Sequence, residues 1–241
     1  MKILIVRHGD PDYAIDGLTE KGKREAELLS LRLIKEKDPK FYCSTLGRAR
    51  LTAAPTLQKL GVEAEYCDWL REFGYERITT PDGNGEHLAW DLLPAWVQTL
   101  PALYLPNEWK SVPMIKESGI VQAYDGVVAS LDALLAKHGY VRDGNAYRVE
   151  HSNHDTLVFV CHFGLGALLL SRFLNCSPYS LWQNTVMLPT SVTTLYTEER
   201  EQGLAAFRCA GMGDTSHLYA MDEEVSFSGR FCECFADDTR H

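Results

Sequence analysis

Two short apolar runs, Ile3-Leu4-Ile5-Val6 and Thr156-Leu157-Val158-Phe159-Val160-Cys161, constrain this chain more than anything else in it. Neither alternates with polar residues, so each reads as a strand buried on both faces, as in the middle of a parallel sheet. Each also runs straight into a basic residue and a glycine: Arg7-His8-Gly9 after the first, His162-Phe163-Gly164 after the second. In an open α/β sheet the carboxyl ends of neighbouring strands meet at one crevice, where ligands bind. A third segment, Cys43-Ser44-Thr45-Leu46-Gly47-Arg48-Ala49, has the same design. If the three strands are neighbours, Arg7, His8, Arg48 and His162 converge on one point. The backbone amides after His162, beginning with Phe163, would stand at a helix N-terminus and favour an anion. Glycine after His8 lets the backbone turn and come close to a ligand.

The rest of the chain supplies covering layers. Thr19 reads as the N-cap of a helix whose apolar positions Ala26, Leu29, Leu33 and Ile34 recur to about Lys37. Residues 41–44 read as a strand, Gly47 to Leu60 as a helix capped by Gly61, and 63–66 as a short strand. From 73 to about 118, five prolines punctuate a Trp-rich stretch, which predicts a cap of short helices rather than a strand of the sheet. A helix follows over 120–139, then a polar stretch with a turn at Asp143-Gly144-Asn145 that suits a hairpin. Behind the second histidine a helix runs to about Asn175, and Ser177-Pro178 opens another. Two late strands fit 191–197 and 204–210. This order predicts a three-layer α/β sandwich with a mostly parallel central sheet. We expect one domain over 1–241, with 73–119 as an inserted cap.

Composition narrows the function. A net charge of −9 argues against a nucleic-acid binder, so an anionic substrate must be held by a local cluster of Arg and His. Seven cysteines at irregular spacing fit a reducing compartment, with Cys43 and Cys161 as buried thiols. Cys232-Glu233-Cys234 and the His151/His154 pair lack companion ligands and read as polar surface rather than metal sites. The start of the chain lacks the layout of a signal peptide. Residues 156–170 fall short of the ~20 residues a membrane span needs. These features predict a soluble, cytoplasmic protein with no nucleic-acid or membrane partner, and they say nothing of oligomeric state.

Taken together, the motifs resemble those of the histidine phosphatase superfamily, with its phosphoglycerate mutase-like fold, in the branch of small cytoplasmic phosphatases. Arg7-His8-Gly9 matches the opening motif. Leu18-Thr19 with Gly22 and Ala26 resembles the first helix start. Ser44-x-x-x-Arg48-Ala49-x-x-Thr52-Ala53 resembles the second arginine motif. Leu70-Arg71-Glu72 corresponds to the acid-bearing segment, His162 with Gly164 to the second histidine, and residues 213–218 to a late segment carrying His217-Leu218.

The resemblance implies a phosphatase acting on a small phosphorylated metabolite. His8 would attack phosphorus to give a phosphohistidine, with Arg7, Arg48 and His162 neutralising the phosphoryl oxygens and Glu72 as general acid and base. That scheme calls on no cofactor and no metal. Asp10, beside the nucleophile, competes with Glu72 for the proton-donor role, and both Asp10 and His217 are candidates to touch substrate. A phosphoglycerate-type mutase is the rival within the family. Against it stand Asp10-Pro11-Asp12-Tyr13 and Glu72-Phe73-Gly74-Tyr75, where a mutase carries different residues. A non-catalytic phosphate-binding module is the rival outside it. The cap is expected to set the substrate, and the Trp-rich part of it either shapes a cavity or simply packs.

Overall fold

The computed structural model describes residues 1–79, 85–231 and 233–236. The chain begins with β1 (Lys2–Arg7), a small hairpin of β2 (Pro11–Asp12) and β3 (Gly17–Leu18), α1 (Glu20–Leu33), β4 (Pro39–Ser44), α2 (Gly47–Leu60) and β5 (Ala64–Cys67). A second small hairpin, β6 (Arg77–Thr79) with β7 (Glu86–Leu88), precedes the short helices α3 (Pro94–Val97) and α4 (Pro113–Lys116). Then come α5 (Ile120–Lys137), β8 (Tyr140–Asp143), β9 (Ala146–Val149), β10 (Thr156–Cys161), α6 (Phe163–Leu174) and α7 (Pro178–Trp182). The chain continues through β11 (Val192–Glu201), β12 (Leu204–Asp214) and α8 (Ser216–Tyr219).

Eight strands form one sheet in the order β5-β4-β10-β1-β11-β12-β9-β8. The α/β sandwich is as expected, and its sheet is mixed. β5, β4, β10 and β1 run parallel, whereas β11, β12, β9 and β8 pair antiparallel. The physical reason is connection length. Turns such as Gln202-Gly203 and Gly144-Asn145 are too short for the crossover that parallel pairing needs. The 141–155 stretch does form a hairpin, and it extends the sheet at one edge.

β1 and β10 are buried on both faces. Ile3, Ile5, Leu157 and Phe159 pack with α5 and α6, while Leu4, Val6, Val158 and Val160 pack with Leu29 and Leu33 of α1 and Ala49 and Ala53 of α2. Each such aliphatic side chain stabilises the fold by about 1.5–3 kcal/mol. Segment 73–119 adds Ile78, Val97, Leu103, Trp109 and Ile115 to the same apolar cluster as α5 and α6.

Local signals explain most element ends. The Thr19 hydroxyl accepts from Gly22 N at 3.0 Å, and Gly61 and Asn175 close α2 and α6 with φ of 65° and 56°. α1 stops at Leu33 rather than near Lys37. There the backbone tightens, with Lys35 N on Arg32 O and Glu36 N on Leu33 O, ahead of Asp38 at φ 42°. Among the described residues no helix is long and apolar enough to cross a membrane.

Candidate active site

Because β4, β10 and β1 are neighbours, their carboxyl ends deliver Ser44, His162 and His8 to one place. The His8 and His162 rings lie 5.0 Å apart, centroid to centroid, and both are buried. His8 Nδ1 sits 2.7 Å from Gly9 O. A carbonyl can only accept, so Nδ1 carries the proton and Nε2 keeps its lone pair. Burial first, then Arg7 and Arg48, hold the His8 pKa well below 6.5, although the Gly9 bond opposes them. A neutral, Nδ1-protonated imidazole results.

Two arginines flank it, each fixed by a different contact. Arg48, on the first turn of α2, points Nε at His8 Nε2 across 3.4 Å and gives NH1 to Asp16 Oδ1 at 2.5 Å. Asp16 Oδ2 takes Gly47 N at 2.6 Å, so this one carboxylate both caps α2 and aims Arg48. Arg7 is buried, and its NH1 donates to Met187 O at 2.7 Å and Ser228 O at 3.0 Å. Burial lowers the Arg7 pKa, opposed by Tyr13, Glu72 and Glu25. Its Nε has no partner among the described residues.

His162 ends β10 as the N-cap of α6, with Nε2 2.8 Å from Ser44 Oγ and Nδ1 unpartnered among the described residues. Burial, then His8 and the arginines Arg48, Arg7 and Arg71, push its pKa well below 6.5. Glu72 meets the same helix end. Its Oε1 accepts Leu165 N of α6 at 3.0 Å and, from the next residue in the chain, Phe73 N at 2.9 Å. Burial raises the Glu72 pKa, against the pull of those amides and of Arg7. With both N–H groups on Oε1, Oε2 is the oxygen left open to carry a proton.

Gly164 makes room for this. A Cβ there would stand 2.9 Å from Glu72 Oε1 and would strike the Trp90 ring, which meets the Phe163 ring edge-on at 5.8 Å. Gly9 likewise is needed for close approach, but to the chain itself: a Cβ there would sit 2.8 Å from Gly22 O, at the start of α1. That contact seats the Arg7-His8-Gly9 loop on the helix.

Asp10 faces away from the cluster. Its side chain accepts from Thr19 Oγ1 at 2.7 Å and from Ser226 Oγ. Burial alone would raise its pKa, yet the hydroxyls of Ser226, Thr19 and Ser228 hold it low. An ionised, fully occupied carboxylate is a poor proton donor, so the two candidate acids separate on geometry and charge. His217 stands behind the site. Its Nε2 is 3.2 Å from Thr190 Oγ1, while Thr190 N donates to His8 O at 3.2 Å, and burial pushes its pKa down to about 4.

Sequence reasoning missed Asp16 and Glu25. Glu25, on α1, is fully buried and takes Asp10 N at 2.8 Å and Ser226 N at 3.3 Å, which pins the late segment 226–229 beside the nucleophile loop. Asp16-Gly17-Leu18-Thr19 was readable as a turn before a helix; Glu25 carried no signal at all. The Trp-rich stretch divides its labour, with Trp90 at the site and Trp109 packed on Tyr124 at 4.9 Å. His151 and His154 are exposed, and no three His, Cys, Asp or Glu side chains among the described residues are grouped to hold a metal. Cys232 of the Cys-x-Cys pair lies outside the described residues.

A cavity of about 470 Å³ opens over the cluster, with Arg48 and Glu72 at its floor and Tyr13, Tyr75, Arg77 and Trp90 among its walls. Another, of about 530 Å³, opens at the far end of the sheet by Met1, His154 and Glu199 and contains none of these groups. The model of the histidine phosphatase superfamily (branch 1) matches residues 3–210. The chain belongs to that superfamily. This histidine phosphatase is 25% identical over 204 residues to the adenosylcobalamin/alpha-ribazole phosphatase of Salmonella typhimurium, covering 76% of this chain and 84% of that one. A probable phosphatase of Schizosaccharomyces pombe is 29% identical over 148 residues, 50% of this chain and 70% of the relative. In fold it resembles a mutant phosphoserine phosphatase of Entamoeba histolytica solved with phosphoserine, with a TM-score of 0.58 at 19% identity over 90% of this chain and 98% of the other. YhfR of Bacillus stearothermophilus gives 0.56 at 21% identity, over 90% and 98%.

Proposed function

We propose that this protein hydrolyses a small phosphomonoester through a phosphohistidine on His8. The observation that carries the reading is the His8 tautomer: Nδ1–H is spent on Gly9 O, leaving a neutral Nε2 lone pair beside Arg48. Nε2 attacks phosphorus, the N–P bond forms, and the ester P–O bond breaks. The leaving oxygen takes the Glu72 proton, so the alcohol departs neutral. Water then attacks phosphorus, Glu72 accepts its proton, the N–P bond breaks, and inorganic phosphate leaves with His8 restored. Splitting one displacement into two easier ones is the benefit of covalent catalysis.

Arg7, Arg48 and His162 are the groups for the phosphoryl oxygens, where positioning and electrostatics do most of the work. The Ser44 hydroxyl can donate to His162 Nε2, which leaves Nδ1–H free to donate to phosphate. Every step uses side chains of this chain and calls on no metal. The relatives named as phosphatases support hydrolysis over transfer.

The test is turnover of 4-nitrophenyl phosphate in EDTA, with base-quenched protein assayed for base-stable, acid-labile phosphate. Activity and label should both vanish in His8→Ala. A folded wild-type protein inert across acidic and neutral pH on a broad phosphoester panel would refute the reading and favour a binding module.

A further inference from the structure

The cavity above His8 is built for more than a phosphate. Its floor carries Arg48 and Glu72, and the wall beyond them includes the rings of Tyr13, Tyr75 and Trp90. Tyr13 and Tyr75 are both largely exposed, at 69% and 67%, a poor placement for rings whose only role is packing. Each ring also has a guanidinium over it, Arg48 at 5.5 Å from the Tyr13 centroid and Arg71 at 5.3 Å from that of Tyr75. Arg77 stands two residues beyond Tyr75 and lines the same cavity, while Glu76 between them packs towards Gly119.

Charge pairing bears on this wall as well. The chain has 33 acidic against 24 basic residues, and Arg32, Arg48, Arg148, Arg172, Arg200 and Arg208 are all in ion pairs. Among the described residues neither the Arg71 nor the Arg77 guanidinium has an ion pair or a hydrogen bond, and the Arg71 Nε is shut off from solvent without a partner. Arg71 also acts electrostatically on His162, which sets it at the border of the phosphate cluster. In so acidic a chain, one unpaired guanidinium lining the cavity, Arg77, with a second over the ring of its wall residue Tyr75, Arg71, constitutes a local positive field.

We propose that Arg77, backed by Arg71, forms a second anion subsite that selects the leaving group. Resting on the phosphomonoesterase reading, this makes the substrate class a phosphomonoester whose alcohol part has a flat or apolar body and an anionic group of its own, a carboxylate or a second phosphate. The phosphoryl group sits at His8, the body lies against the tyrosine and tryptophan faces, and the remote anion meets Arg77 at the rim. Phosphoesters with an uncharged or cationic alcohol part are disfavoured.

Binding of non-hydrolysable probes tests this independently of turnover. Benzylphosphonate and 4-carboxybenzylphosphonate share a body and differ in the remote anion. Calorimetry on the wild type should give about fivefold tighter binding of the carboxylated probe, the upper end of what an exposed ion pair yields. The ratio should fall to near one in Arg77→Gln, recover in part in Arg77→Lys, and stay at the wild-type value in Arg148→Gln, a paired arginine on β9. Equal affinity for the two probes in the wild type, a ratio unchanged in Arg77→Gln, or failure of both probes to bind overturns the proposal. A preserved ratio in a protein that turns over no phosphoester supports the subsite and sinks only the hydrolytic reading.

Discussion

Arg48 Nε stands 3.4 Å from His8 Nε2, and Arg48 NH1 is held by Asp16 at 2.5 Å, so the guanidinium is aimed before any substrate arrives. That placement favours a neutral His8 in the free protein and, in the proposed reaction, meets the phosphoryl oxygens. Lysine carries the charge but cannot make both contacts, since its ammonium is a point rather than a fork. Arg48→Lys should therefore lower kcat/KM for an aryl phosphate by about 10²–10³. A loss below about threefold, in a variant melting like the wild type, would remove Arg48 from the mechanism.

The two titrating groups of the site predict an acidic optimum. His8 must be neutral, and its pKa is lowered well below 6.5 by burial and the arginines, so activity persists below pH 6.5 and falls only at stronger acidity. Glu72 must be protonated, and burial raises its pKa above 4.5, so activity declines as pH climbs through that raised value. Glu72→Gln should abolish the alkaline decline and cut kcat/KM, which reports the step that expels the alcohol, by about 10²–10⁴ with phenyl phosphate. The loss should be smaller with 4-nitrophenyl phosphate, whose leaving oxygen needs little help from an acid. Equal losses on the two esters would mean that Glu72 does not protonate the leaving group.

What could be read from the residues alone follows from how local the signals are. β1, β10 and α2 were legible because continuous apolar runs and a Gly cap act over a few residues. β11 and β12 run longer than the apolar pattern suggests, because Glu198–Glu201 pair on an exposed face where nothing demands hydrophobicity. His8, Arg48 and His162 were found because each follows a strand. Glu25 was invisible, since between Arg24 and Ala26 it looks like one more solvated helix residue. Its burial depends on Ser226, 201 positions away.

That buried carboxylate makes a stability prediction with a definite sign. Burial raises the Glu25 pKa from 4.5 to about 7, opposed by the amides of Asp10 and Ser226. Between those two values the folded protein holds a proton that the unfolded chain has released. Stability from this group is therefore full below pH 4.5 and is lost as pH rises through 7, by about 3 kcal/mol in all. Glu25→Gln cannot titrate, and its amide presents a donor to one of the two N–H groups, at a cost of about 1–3 kcal/mol. Its Tm should lie below that of the wild type at pH 5, with the gap narrowing by pH 8. His8 and His162 titrate in both proteins and cancel in the difference. A gap independent of pH would show that Glu25 is ionised throughout.

Glu25 also holds the segment that reaches Arg7. Ser228 O takes Arg7 NH1 at 3.0 Å, and Gly229, at φ 87°, lies so close that a Cβ would stand 2.9 Å from NH2. Gly229→Ala is strained twice, by the left-handed backbone and by the guanidinium it strikes. The easiest relief is for the 228–229 turn to lift, which leaves NH1 with Met187 O alone and loosens the aim of Arg7. In the proposed reaction Arg7 meets the phosphoryl oxygens in substrate and transition state alike, so weaker aim costs binding in both. KM and the inhibition constant of inorganic phosphate should rise together, by about tenfold, with kcat changed far less. A fall in kcat at constant KM would place the strain on the nucleophile loop through Ser226 and Asp10 instead, and the strap would not serve Arg7.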